Sequence, residues 1–141
     1  MPVCVAAGGL VVALAMQSFT LAWTHSIEKI RWEEDWRVEG DRLRLVEARV
    51  RGSGAGMEAP VGSTFDGGVW HYDPHVPPLE VLRLTHSIYT AGYELCHDGA
   101  CRPLAESAPR AGNGDVIALS ACPVRVARPA RTRFLGVVLA R

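Results

Sequence analysis

Residues able to do chemistry are concentrated in the first half of the chain. Phe19-Thr-Leu-Ala-Trp-Thr-His-Ser-Ile-Glu28 is followed by Trp32-Glu-Glu-Asp-Trp36 and then by Gly52-Ser-Gly-Ala-Gly-Met57. His25 has the side chain of a general base or a ligand, and a neighbouring carboxylate such as Glu28 or Glu34 favours its charged form. A buried neutral histidine satisfied by backbone is the plainer role. Glu28, Glu33, Glu34 and Asp35 form the densest acidic cluster. With His25, Glu28 and Glu34 offer the mixed oxygen and nitrogen donors of a divalent-metal site. The spacing matches no metal motif, so no metal or cofactor is assigned, and a solvated turn beside Arg31 and Arg37 accounts for the same charges. In Gly52 to Met57, backbone N–H groups could cradle an anion, with Gly54, Ala55 and Gly56 at its centre. The loop is not G-x-x-x-x-G-K-[ST] and no helical pattern follows it, which argues against nucleotide binding.

Thr24-His-Ser-Ile27 is repeated as Thr85-His-Ser-Ile88. Two copies are too few for a repeat architecture. Either the echo is coincidence, or two related strands bring His25 and His86 toward one cavity. Within a strand, Ser26 and His25 point to opposite faces and cannot pair as nucleophile and base. A Ser26–His86 pair rests on the echo alone, and Ser53 is not in a G-x-S-x-G elbow. Serine hydrolase chemistry is therefore disfavoured, and a metal- or His/Glu-assisted hydrolase is the enzymatic alternative. The overall leaning is toward a protein that is not an enzyme.

The elements that must carry these groups read as strands. Phe19, Leu21, Trp23, His25 and Ile27 alternate with period two, as expected of a half-buried strand. Ser26 to Trp36 is the one stretch that could hold a helical turn, with Ser26 as cap. Asp35 to Glu39 reads as a short strand, and Gly40-Asp41 turns the chain into a strand from Arg42 to about Arg51. Its apolar phase slips at Leu45-Val46, which predicts a β-bulge there. Val3 to Ala7, a Gly8-Gly9 turn and a second apolar run form a hairpin. Gly52 to Gly68 is a loop, and Val69 to Asp73 and Leu79 to Ser87 are strands. Asp115 to Cys122 and Phe134 to Leu139 would be the last strands, with a loop over Ala105 to Gly114. Many short strands between turn signals indicate an all-β, single-domain antiparallel β-sandwich or open barrel. The domain is placed at residues 1–128, with 129–141 an Arg-rich tail or last strand.

Asp98-Gly99 is a type I′ hairpin turn. It sets Cys96 opposite Cys101 in a non-hydrogen-bonded pair, a separation that suits a cross-strand disulfide in an oxidising compartment. A zinc site from Cys96, His97, Cys101 and Cys122 lacks CxxC spacing. Cys4 and Cys122 read as buried small apolar residues.

The chain has 141 residues, 48% hydrophobic and 21% charged, with a formal net charge of +0. That is ordinary composition for one globular domain, with no electrostatic bias toward nucleic acid. No acid follows Asp115, whereas Arg125, Arg128, Arg131, Arg133 and Arg141 do, so the end of the chain could touch an acidic partner or a membrane. The apolar run from Val3 to Met16 lacks a positive n-region, is broken by Gly8-Gly9, and is too short to span a bilayer. No transmembrane segment is expected. The cytoplasm is slightly favoured, with a periplasmic or membrane-associated location left open.

Phe19 to Trp36 and Gly54-Ala-Gly-Met57 together resemble a bacterial domain of unknown function, DUF1850. Members carry an aromatic-x-His-Ser-Val-Glu segment, a second Glu shortly after, and a Gly-Ala-Gly-Leu/Met-Pro loop. Here Ile27 stands where Val is usual, and the expected proline comes at Pro60. The resemblance implies that His25, Ser26, Glu28, Glu34, Gly54, Ala55 and Gly56 are the residues to carry over. Genes of this family often lie beside TAXI-type TRAP transporters. That implies an accessory or ligand-binding component whose partners are TRAP subunits or their solute, or a structural partner of a membrane subunit.

Overall fold

The computed structural model describes residues 2–24, 30–51, 62–123 and 137–140. They form strands β1 (Val3–Ala7), β2 (Leu10–Leu14), β3 (Ser18–Thr24), β4 (Arg31–Glu39), β5 (Arg42–Arg51) and β6 (Thr64–Asp66). The order continues with β7 (Val69–Tyr72), β8 (Leu82–Thr85), β9 (Glu94–His97), β10 (Ala100–Pro103), β11 (Val116–Ala121) and β12 (Val137–Ala140). One 3-10 turn, Leu104–Ser107, follows β10, and no α-helix occurs among the described residues. The all-β class expected from the period-two patterning is what forms.

Two sheets stack as a sandwich. The first has the order β12-β2-β1-β11-β8 and the second β10-β9-β3-β4-β5-β7-β6. Pairing is antiparallel throughout except for β12, which lies parallel to β2. Val3, Val5, Val12, Ile117 and Leu119 from the first sheet meet Phe19, Leu21, Trp36, Leu43 and Leu45 from the second in one apolar cluster. Each fully buried leucine or isoleucine there contributes about 1.5–3 kcal/mol. The β1–β2 turn is made by Gly8 and Gly9, both at positive φ. At Gly8 a Cβ would come within 2.4 Å of the Arg110 carbonyl oxygen, so only glycine fits.

The bulge expected at Leu45-Val46 is present. Asp35 pairs with Glu47 and Trp36 with Leu45, leaving Val46 unmatched on β5. Val46 is 40% exposed, while Leu43, Leu45, Ala48 and Val50 all turn inward. The extra residue resets the alternation and keeps both halves of the strand facing the core.

Other expectations need correction. Residues 31–36 are not a helical turn but the first part of the nine-residue strand β4, and residues 26–29 lie outside the described set. Arg31, Glu33, Asp35 and Arg37 alternate with Trp32, Glu34 and Trp36, and pairing to β3 and β5 satisfies the backbone on both edges. The loop expected up to Gly68 contains β6, which joins β7 through Gly67-Gly68. Cys4 and Cys122 are not free apolar residues but a disulfide that closes a separation of 118 residues.

Candidate functional site

Register builds the site. Directly opposed residues on neighbouring strands share a face, so the inner face of the second sheet can be followed as rungs. Phe19, Trp36 and Leu45 form the deepest of three. The next is Leu95, Leu21, Glu34, Ala48 and Tyr72. The last is Trp23, Trp32, Val50, Trp70 and Phe65. Glu34 is thus a carboxylate set into an otherwise apolar and aromatic wall. Trp23 and Trp32 stack with centroids 6.2 Å apart and planes 9° from parallel. Tyr93, which leads into β9, meets Trp23 edge-on at 5.7 Å. Trp23, Trp32, Trp70, Tyr72 and Tyr93 are half-buried, unlike Phe19 and Trp36 below them. This end of the wall keeps access to solvent.

Among the described residues Glu34 has one side-chain hydrogen bond, accepted from the Trp36 indole nitrogen at 3.4 Å. Burial pushes its carboxyl above the usual carboxylate range, and the indole bond offsets that only in part. The phenols of Tyr72 and Tyr93 are pushed up by burial and then by the Glu34 charge. No guanidinium reaches Glu34 among the described residues. The six arginines of β4 and β5 all alternate to the outer face.

That outer face is a charge ladder. Arg49 binds Asp35 in a fork at 2.5 and 2.7 Å, and the Thr20 hydroxyl donates to Asp35 at 2.6 Å. Burial pushes the Asp35 carboxyl up, but the Arg49 and Thr20 hydrogen bonds and the Arg49 charge hold it below the usual range. Glu33 meets Arg31, Arg49 and Arg51, and Glu47 meets Arg49 and the His71 ring. A depression of about 480 Å³, open to solvent, lies beside the bulge against Thr20, Asp35, Arg49 and His97. Its charged groups are already matched to one another, so the ladder reads as a sheet-stabilising network.

The structure separates the acids that lie together in the sequence. Glu33 and Asp35 go to the outer ladder, while Glu34 goes inward. His25, Ser26, Glu28, Gly54, Ala55 and Gly56 lie outside the described residues. Their described neighbours Thr24, Arg31 and Arg51 all sit at the end of the second sheet where Trp23, Trp32 and Trp70 lie. His86 follows β8 in the first sheet. Its backbone N–H donates to the Asp115 carbonyl and its carbonyl accepts from Gly114, both at 2.8 Å. The two Thr-His-Ser-Ile copies therefore begin on strands of different sheets.

Cys96 and Cys101 are joined across the β9–β10 hairpin, whose Asp98-Gly99 turn has positive φ at both residues. Arg31 Nη2 lies 4.0 and 3.9 Å from their sulfurs. Glu94, Cys96 and Cys101 converge closely enough to suggest a metal site, but both sulfurs are committed to the disulfide. The zinc alternative fails for the same reason, since Cys122 is bonded to Cys4. The histidine rings hydrogen-bonded among the described residues meet the Glu47 carboxylate and the Ser18 carbonyl rather than a hydroxyl.

The aromatic wall escaped the sequence reading. A signal was available in Trp32-x-Glu34-x-Trp36, which places indole, carboxylate and indole on one face of any strand. Arg31, Glu33, Asp35 and Arg37, interleaved with these three, give the stretch the composition of a polar turn.

The family model described as "Domain of unknown function (DUF1850)" matches residues 19–104. No curated protein and no solved structure matches the chain.

Proposed function

The chain belongs to the DUF1850 family, and on that premise we propose that it is a ligand-binding accessory protein of a TRAP-type solute transporter rather than an enzyme. The observation that carries this reading is Glu34, a poorly partnered carboxylate in a half-buried aromatic wall. Partial burial of a carboxylate without a cationic partner costs stability, and a cationic ligand would offset that cost. His25, Ser26, Glu28, Gly54, Ala55 and Gly56, the residues of the two family motifs, would complete the recognition site. The transporter link rests on the family's gene neighbourhood. Two disulfides favour an oxidising compartment over the cytoplasm. No helix among the described residues is long and apolar enough to cross a membrane.

The test is intact mass of the purified full chain under native and denaturing conditions, with and without co-expressed transporter subunits. We expect a retained small molecule or a retained subunit, lost in a His25→Ala/Glu28→Ala variant whose circular dichroism is unchanged. Bare protein under both conditions defeats the reading. A double variant that does not fold makes the cluster structural and defeats it as well.

A further inference from the structure

The Glu34 wall specifies what kind of ligand would bind. On β4, Glu33 and Asp35 are each neutralised by arginines on the outer face. Glu34, between them in the chain, faces the other way, where among the described residues it is flanked by Leu21 and Ala48, bonded to the Trp36 indole and felt by the Tyr72 and Tyr93 phenols. It carries the one negative charge of its rung, while the neighbouring rung carries Trp23 and Trp32, stacked on each other and half-buried. Aromatic faces carry partial negative charge and attract cations within about 6 Å of the ring centroid. Carboxylate and π-faces therefore create one electrostatic preference, for positive charge with an apolar surround. Small metal ions fit poorly, since among the described residues Glu34 is the one carboxylate of these three rungs, and the Tyr72 and Tyr93 phenols beside it are held in their protonated form. A desolvated organic cation suits both components.

We propose that the wall formed by Trp23, Trp32, Tyr72 and Tyr93 around Glu34 binds an organic ammonium group, with Glu34 as counter-charge and the tryptophans as its apolar seat. This rests on the ligand-binding reading above and adds the ligand's chemical class. The remainder of the ligand would extend toward the solvent end of the sheet, past Trp70.

Choline and its neutral isostere 3,3-dimethylbutan-1-ol separate charge from shape. Each is titrated into the full oxidised chain at matched concentration and ionic strength, with tryptophan fluorescence as readout. The expected result is a saturable response to choline and little or none to the alcohol. Glu34→Gln should weaken choline binding roughly tenfold or more while keeping the wild-type circular dichroism. Trp32→Leu should weaken it too, with fold again checked by circular dichroism. Equal responses to both probes would overturn the ammonium assignment while leaving an apolar binding site. An undiminished choline response in Glu34→Gln, or no response to choline in wild type, would also overturn it. The intact-mass experiment distinguishes these failures. A retained molecule that is not a cation sinks this inference alone, whereas bare protein sinks the ligand-binding reading with it.

Discussion

The Glu34 and Asp35 side chains leave β4 on opposite faces, and their acid–base behaviour diverges accordingly. Glu34 is raised by burial, so the folded state holds its proton more tightly than the unfolded chain. Its ionisation costs stability, and that cost appears as pH rises from the ordinary carboxyl range through the raised value. Asp35 is lowered on balance by Arg49 and Thr20. It contributes stability that is present above the ordinary carboxyl range and is lost as pH falls through that range toward its lowered value. Glu34→Gln should therefore raise the melting temperature at neutral pH and change it little in acid. Asp35→Asn should lower it at neutral pH, with the difference from wild type shrinking in acid. Thermal melts of the two variants across the acid range measure both; parallel curves would contradict the environments assigned here. Legibility at this scale was partial. The acidic cluster was visible, but its division between two faces depended on whether the stretch was a turn or a strand.

At the scale of elements, β5 shows how one residue sets a register. Leu43 and Leu45 lie in one phase and Ala48 and Val50 in the other, and the bulge at Val46 reconciles them. Val46 is exposed, so Val46→Thr should change stability by about 0.5 kcal/mol or less. Deleting Val46 should instead cost several kcal/mol, because it turns one half of the strand's apolar residues to the outer face. Urea unfolding of both variants gives the comparison. Equal effects would mean that the bulge does not hold the register. This feature was legible because apolar phase is written directly in the sequence. The strand identity of residues 31–36 was not, because acids and arginines on a solvated strand face resemble those of a polar turn. Cross-strand partners such as Arg49 and Glu94 decide between the two.

For the whole molecule, the disulfides act at different ranges. Cys4–Cys122 closes a separation of 118 residues and ties β1 to the end of β11, whereas Cys96–Cys101 closes a separation of 5 within one hairpin. Chain entropy alone assigns the first about 5 kcal/mol and the second about 2 kcal/mol. Cys4→Ser/Cys122→Ser should lower the melting temperature by about 10–20 °C, and Cys96→Ser/Cys101→Ser by less than half as much. Calorimetry on the two double variants tests the order. A larger loss from the hairpin pair would mean that long-range closure is not what these bonds supply.

Strand periodicity, the β1–β2 and β9–β10 hairpins, the bulge at Val46 and the all-β class are determined by the sequence itself. Each depends on contacts or conformations within a few residues, such as side-chain alternation or the positive φ that Asp98-Gly99 accepts. The Cys4–Cys122 bond, the inward turn of Glu34 and the aromatic wall around it were decided by tertiary structure. They join residues from different strands or distant parts of the chain, and no local propensity records which distant strand a residue will face once two sheets have closed on each other.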